Sequence, residues 1–287
     1  MPHPHYTITE TLLARISEAE MLRTKIQTAP VQVAWLETIR LESLVRRAHF
    51  STAIEGNPLT LPEVEALAAA KKVEVKDLAK REVLNYLAAL RWIARQPERA
   101  PVTETAVLKL HRIITTGLLE PKLVGAYKIS ANVIMSAGQV VYRPPGPQAA
   151  KPGTQALVEW LEGPGQSTHP IVASACAHYE TARLHPFRDG NGRVARALAT
   201  LVLYHRGFDT QHLFAVDQYF KEAHEGVYIG RLAADATSTI AANPHLKLIF
   251  GYPDEAPEAD VRPFDSDRFV DPQARVALLE RLAADGS

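Results

Sequence analysis

The chain has 287 residues, 46% of them hydrophobic, and its 32 basic residues balance its 32 acidic ones. That length suits one large domain or two modest ones, and no apolar run reads as a membrane span or a signal peptide. A neutral balance gives no support for nucleic-acid or membrane-surface binding. Cys176 is the only cysteine, so an internal disulfide is excluded. It lies in an apolar helical stretch and reads as a small core residue, with the cytoplasm as the default compartment.

Residues 9–25 read as a helix with Leu12, Leu13, Ile16, Ala19 and Leu22 on one side. After a break at Ala29-Pro30, residues 33–54 form a second helical stretch. Trp35, Leu36, Ile39, Leu44 and Val45 are its apolar positions, while Arg40, Glu42, Arg46 and Arg47 suggest a solvated or partner-facing side. Gly56, Asn57 and Pro58 end it. Thr60 and Glu63 form a capping box for a helix to about residue 70. Residues 72–95 make a long helix with Val83, Leu87, Leu90 and Ile93 inward, and Asn85-Tyr86 on it is assigned to packing.

Thr103 caps a helix through about residue 116, on which His111 reads as a core-edge histidine. Val133, Ile134, Val140, Val141 and Tyr142 are strand formers around a turn at 136–138, which predicts a β-hairpin ending at Arg143-Pro144-Pro145. Residues 154–162 read as a short helix. His169-Pro170 opens a long one through Leu184, with Ile171, Ala175, Tyr179 and Ala182 as its packed side. Gly207 stops the helix that follows. Beyond residue 242, five prolines among acidic residues indicate an extended tail, with a last amphipathic helix over 276–282.

The most informative stretch is His185-Pro186-Phe187-Arg188-Asp189-Gly190-Asn191-Gly192-Arg193-Val194-Ala195-Arg196. Residues 197–203 continue helically, so Asn191 and Gly192 sit at a helix N-terminus, where free N–H groups and a partial positive charge attract anions. Two glycines allow close backbone approach, and the whole reads as a nest for a phosphate chain. Arg193 and Arg196, three apart, point to one side of the helix within reach of that anion. Asp189 suits such a site if a divalent cation bridges it to phosphate, and otherwise it caps the helix. Pro186 forces His185 off the preceding helix, where a neutral imidazole can accept a proton from a hydroxyl. His178 and His185, seven apart, invite a zinc reading with Asp189, but no HExxH or Cys/His spacing supports it.

This stretch resembles the Fic signature, His-x-Phe-x-Asp/Glu-Gly-Asn-Gly-Arg-x-x-Arg, at every fixed position. The resemblance implies an all-α fold, a Fic-type helical bundle with one β-hairpin flap. It implies a nucleotidyltransferase that moves AMP from ATP onto a Ser, Thr or Tyr hydroxyl of a protein. By that likeness His185 is the base, Asp189 holds Mg²⁺, and Gly190, Asn191 and Gly192 cradle the phosphates. Arg193 and Arg196 neutralise the triphosphate, and Phe187 anchors the loop. The hairpin, residues 128–143, becomes a flap on which a protein target docks by strand addition; Lys128 stands where relatives usually have Arg. Ser51-x-x-x-Glu55-Gly56 resembles the inhibitory motif of the class II subclass, which implies that Glu55 pairs with Arg196 and restrains ATP. Residues 217–232 resemble a segment that helps hold the adenine, with Tyr219 and Tyr228 as aromatic candidates.

The expected organisation is an N-terminal helical region, 1–100, with an inhibitory helix at about 40–56, then a Fic core, 101–240, and a proline-rich tail, 241–287. The alternatives are removal of AMP from a modified protein, with Glu55 orienting water, and an ATP-sensing module with little catalysis. A homodimer stays open, and the likeness identifies neither the target nor the base preference.

Overall fold

The computed structural model describes residues 4, 6–28, 33–70, 77–136, 139–209 and 211–218. In chain order these form α1 (Glu10–Thr28), α2 (Val33–Ile54), α3 (Leu61–Ala69), α4 (Leu78–Ala94) and α5 (Glu104–Thr115). A two-strand ribbon follows, β1 (Ile134–Ser136) and β2 (Gln139–Tyr142), then α6 (Pro147–Glu162), α7 (Pro170–Leu184) and α8 (Asn191–His205). Short 3₁₀ turns occupy Pro121–Leu123 and Pro164–Ser167.

Helices α7 and α8 make the centre. The expected one-sided stripe on α7 is corrected: Val172, Ala173, Cys176, Ala177, Tyr179 and Ala182 are all buried, so no face is left to solvent. A helix apolar all round is an interior helix, and its alanines let neighbours pack close. In α8, Val194, Ala197, Leu198, Leu201 and Val202 are equally buried. One core joins these residues, apart from Tyr179 and Ala182, which cluster with Ala195, to Leu12 of α1, Val45 of α2, Val83 of α4, Leu110 of α5 and Leu161 of α6. The loop between α7 and α8 is thus held at both ends by the best-packed elements.

Several boundaries differ from the expectation. Helix α4 starts at Leu78 rather than at 72, because Asp77 is extended and its Oδ1 accepts from the Ala79 N–H at 2.8 Å, an N-cap. Helix α6 starts at Pro147 rather than 154. Its own Pro152 and Gly153 read as breakers, yet Gly153 is where the helix passes Leu184: a Cβ there would stand 2.8 Å from that side chain. In α2, Arg47 is not on a solvated side; it is 3% exposed, with Asp209 and Asp217 each 3.9 Å away.

The strands pair antiparallel, with an irregularity between Ile134 and Met135. Tyr142 is buried, and its hydroxyl donates to the Arg183 carbonyl at 2.9 Å, which ties the ribbon to α7. Ile129, Val133 and Val140 are exposed beside it. Tyr219, Tyr228, the proline-rich tail and the helix expected over 276–282 lie outside the described residues.

Candidate active site at the tip of α8

His185 ends α7 with φ 49° and ψ 56°, a left-handed conformation rare for a side chain other than glycine. Pro186 disfavours the right-handed helical region for its predecessor, which helps to force the chain out there. His185 Nδ1 lies 3.1 Å from the Ala182 carbonyl. A carbonyl only accepts, so Nδ1 carries the proton and the Nε2 lone pair is left for a ligand. Burial lowers the pKa of His185, and nearby Lys128 lowers it further. The Ala182 carbonyl, Glu55 and Asp189 act the other way, and the net result lies below the usual histidine range. At neutral pH the ring is a proton acceptor.

Below it the loop is clamped. Asn191 Oδ1 accepts from the Phe187 N–H at 2.8 Å, and Asn191 Nδ2 donates to the Phe187 carbonyl at 3.0 Å. Asn191 is 2% exposed, so its side chain shapes the loop and only its backbone N–H faces a ligand, which narrows the phosphate-cradling role expected of it. Phe187 is fully buried and stacks on His111 at 3.9 Å. His111 is not the expected core-edge residue: it is completely buried, it accepts at Nδ1 from the Gly125 N–H, and its Nε2 lies 3.2 Å from the Asp189 carbonyl. Asn85, assigned to packing, is instead a polar clamp: Nδ2 donates to the Ile114 and Thr116 carbonyls at the end of α5. Lys128, expected on the flap, is 3% exposed beneath it. Its backbone N–H donates to the Pro186 carbonyl, and its Nζ donates to Asn132, which in turn donates to the Phe187 carbonyl. Burial pushes the Lys128 ammonium down to about 8.

Gly190 caps α8 with φ 77°, and a Cβ there would stand 2.9 Å from Thr115 Cγ2. The first intrahelical bond runs from the Val194 N–H to the Gly190 carbonyl, so the N–H groups of 191–193 form the open end of the helix. A carboxylate reaches that end. A Cβ on Gly192 would run into Glu55 Oε1, so only glycine leaves room for Glu55 at the tip.

Glu55 and Ser51, one turn apart on α2 and its end, grip Arg196. The Arg196 Nε donates to Ser51 Oγ at 2.7 Å, and Nη2 donates to the Ser51 carbonyl at 2.9 Å and to Glu55 Oε1 at 2.7 Å. Asp217 lies 3.7 Å from Arg196 Nε and accepts from the Tyr86 hydroxyl at 3.0 Å. Burial pushes the Glu55 carboxyl up, but Arg196, through its charge and its hydrogen bond, outweighs that, with help from Arg193 and His185; Glu55 ends below the usual carboxylate range. Arg196 stays charged: burial opposes its charge, and Glu55, Tyr86 and Asp217 more than restore it. Gly56 follows with φ 88°, turning the chain off α2.

Arg193 does not sit beside Arg196 facing the tip as the spacing predicts. Its Nη1 meets Glu82 Oε1 at 2.5 Å, and its Nη2 is 3.7 Å from Asp189. Asp189 has a side chain 63% exposed, and Oδ1 accepts from the Gly190 N–H. One open carboxylate beside a phosphate nest fits Mg²⁺, which keeps waters and takes its other ligands from phosphate. Among the described residues no cluster of three or more His, Cys, Asp or Glu side chains forms a metal cage.

The geometry is that of a helical protein with open backbone N–H groups at a helix tip, a neutral imidazole at the start of the loop that leads to it, and its own carboxylate against that tip. Residues 101–203 match the model of the Fic/DOC family, so that segment of the chain is similar to a Fic domain. It is 30% identical over 177 residues to the protein adenylyltransferase Fic of Drosophila yakuba, covering 60% of this chain and 34% of that protein. It is 28% identical over 198 residues to its namesake in Drosophila erecta, covering 68% and 39%. The chain therefore spans about a third of the length of these curated relatives. A crystal structure of a Fic family protein from Desulfovibrio desulfuricans superposes with a TM-score of 0.72 at 29% identity, covering 87% of this chain and 74% of the other. A Fic domain containing signalling protein from Bacteroides thetaiotaomicron, at 21% identity and TM-score 0.64, shares the fold.

Glu82, Asn132 and the Asn191 clamp are absent from the sequence reading, and His111 enters it only as a core-edge residue. Their partners lie far off in the chain or, for Asn191, on the backbone, and no periodicity or motif marks them.

Proposed function

We propose that the chain is an autoinhibited protein adenylyltransferase that moves AMP from ATP onto a Ser, Thr or Tyr hydroxyl of a target protein and of itself. The observation that carries this is the neutral His185, its Nε2 unencumbered, beside the α8 tip where Glu55 lies. The names of the relatives support the same activity. In this reading the acceptor hydroxyl gives its proton to His185 Nε2. Its oxygen bonds to the α-phosphorus, the bond from that phosphorus to the bridging oxygen breaks, and pyrophosphate leaves. The N–H groups of 191–193, with Arg196, hold the triphosphate. Mg²⁺, when bound at Asp189, supplies neutralisation of phosphate charge. The ribbon over 128–143 is the flap on which a target strand docks, and its exposed Val133 and Val140 suit an extended peptide.

Glu55 restrains the enzyme by holding Arg196, the guanidinium that phosphate needs. Charge-assisted hydrogen bonds are worth roughly 1.5–3 kcal/mol each, so losing this one shifts the competent fraction by about 10-fold to 100-fold.

The test is Glu55→Gly with Mg²⁺ and ATP labelled at either the α- or the γ-phosphorus. Label on protein from the α position alone is the expected result. Transfer from the γ position, or from neither, overturns the reading. Glu55 is 35% exposed and close to His185, which also favours a second reading, water activation for AMP removal. AMP release from a pre-modified target by the wild type, lost in Glu55→Gly, is its signature.

A further inference from the structure

Glu82 lies on α4, outside the segment 101–203, and its two carboxylate oxygens serve different partners. Oε1 meets Arg193 Nη1 at 2.5 Å, and Oε2 accepts from Asn57 Nδ2 at 2.7 Å. Asn57 stands two residues after Glu55. Its backbone N–H donates to the Thr52 carbonyl, its Nδ2 also donates to the Ala79 carbonyl at 2.9 Å, and its Oδ1 accepts from the Leu59 N–H. It fastens the turn that carries Glu55 onto the first turn of α4. Arg193 has a side chain only 6% exposed, and its Nε has no hydrogen-bond partner among the described residues. Among the described residues the contact with Glu82 is therefore the one short contact that orients this guanidinium.

We propose that Glu82 is a positioning residue shared by two devices: it aligns Arg193 beside the phosphate nest and, through Asn57, holds the turn that keeps Glu55 at the tip. The inference rests on the adenylyltransferase reading above. A carboxylate accepts at both oxygens, whereas an amide accepts at one and donates at the other. Arg193 and Asn57 Nδ2 both donate, so Glu82→Gln keeps its volume and loses one of the two contacts or the other. Arg193, which carries the charge, is the partner that suffers whenever the amide nitrogen faces it, and even a well-placed amide oxygen gives it a weaker bond.

The test uses the full chain. Binding of ATP with Mg²⁺ is measured by calorimetry on Glu55→Gly/His185→Ala, where turnover is slow against the measurement, with and without a further change at 82 or 57. Glu82→Gln weakens binding there about tenfold, the loss of a charge-assisted contact, while Asn57→Ala leaves it unchanged. With Glu55 and His185 restored, Asn57→Ala alone raises self-labelling severalfold, because the turn is unfastened and Arg193 is not. Binding unchanged or tightened by Glu82→Gln overturns the proposal; tightening marks Glu82 as a competitor of the nucleotide. Self-labelling by Asn57→Ala no faster than wild type also overturns it. A Glu55→Gly protein that binds ATP but labels nothing refutes the adenylyltransferase reading, and the calorimetric arm still decides the role of Glu82.

Discussion

At the residue scale the account turns on two buried imidazoles. His185 is held neutral by burial with its Nε2 open. Its pKa is depressed, so the active form persists as pH falls through the ordinary histidine range near 6.5, and activity is lost only at lower pH. The transfer rate of Glu55→Gly against pH reads this directly. His185→Ala, measured at neutral pH, lowers that rate by roughly 10²–10⁴-fold, the contribution of a positioned base, while the protein still binds ATP. His111 is lowered by burial to about 4. An unfolded chain therefore binds more protons than the folded one between about pH 6.5 and 4, so stability falls as pH drops through that window. The cost is on the order of 3 kcal/mol, and the acid slope of the melting temperature should flatten in His111→Gln. The signature from His185 to Arg196 was legible because its residue types are specific at fixed spacing. His111 was not, since a histidine on a helix looks the same whether it edges the core or supports a loop.

At the element scale, the tip of α8 depends on glycine for two different reasons. Gly190 has φ 77° with Thr115 close behind it. Gly190→Ala should cost about 1–2 kcal/mol from the left-handed backbone alone, seen as a lower melting temperature. Gly192 is not strained; it leaves space for Glu55. The carboxylate is the movable end of that contact, so Gly192→Ala displaces Glu55 from the tip, and a change in protection of the turn after α2 by hydrogen exchange checks this. Helix identities along the chain followed from apolar spacing and capping residues. Starts failed at α4 and α6, where the deciding features were Asp77 accepting from Ala79 and Gly153 passing Leu184. Arg47 was misread because charge on a helix says nothing of the acidic residues folded over it from 209 and 217.

At the scale of the whole molecule, the same core that stabilises the fold sets the register of Glu55 against Arg196, 141 positions apart in the chain. Leu198 is fully buried in α8, and Leu198→Ala should lower stability by roughly 2–5 kcal/mol through transfer loss and a cavity, with a measurable fall in the denaturant midpoint. Apolar periodicity cannot predict that α2 ends on the tip of α8; the pairing was expected only from the likeness of the Ser51–Gly56 stretch to a family motif. Proton uptake does not release it at neutral pH. The pKa of Glu55 is depressed, so the contact holds above the ordinary carboxylate range and fails only as pH falls below it. Displacement must come from a ligand or a partner. The central claim is that one guanidinium serves the carboxylate at rest and the nucleotide at work. It is tested most directly by the rate of AMP incorporation into wild type, Glu55→Gly and Glu55→Gly/Arg196→Ala, followed by intact-protein mass. The account predicts slow incorporation in wild type, a rise of about tenfold or more in Glu55→Gly, and loss of that gain in the double variant. Equal rates in wild type and Glu55→Gly, or full activity without Arg196, would contradict it.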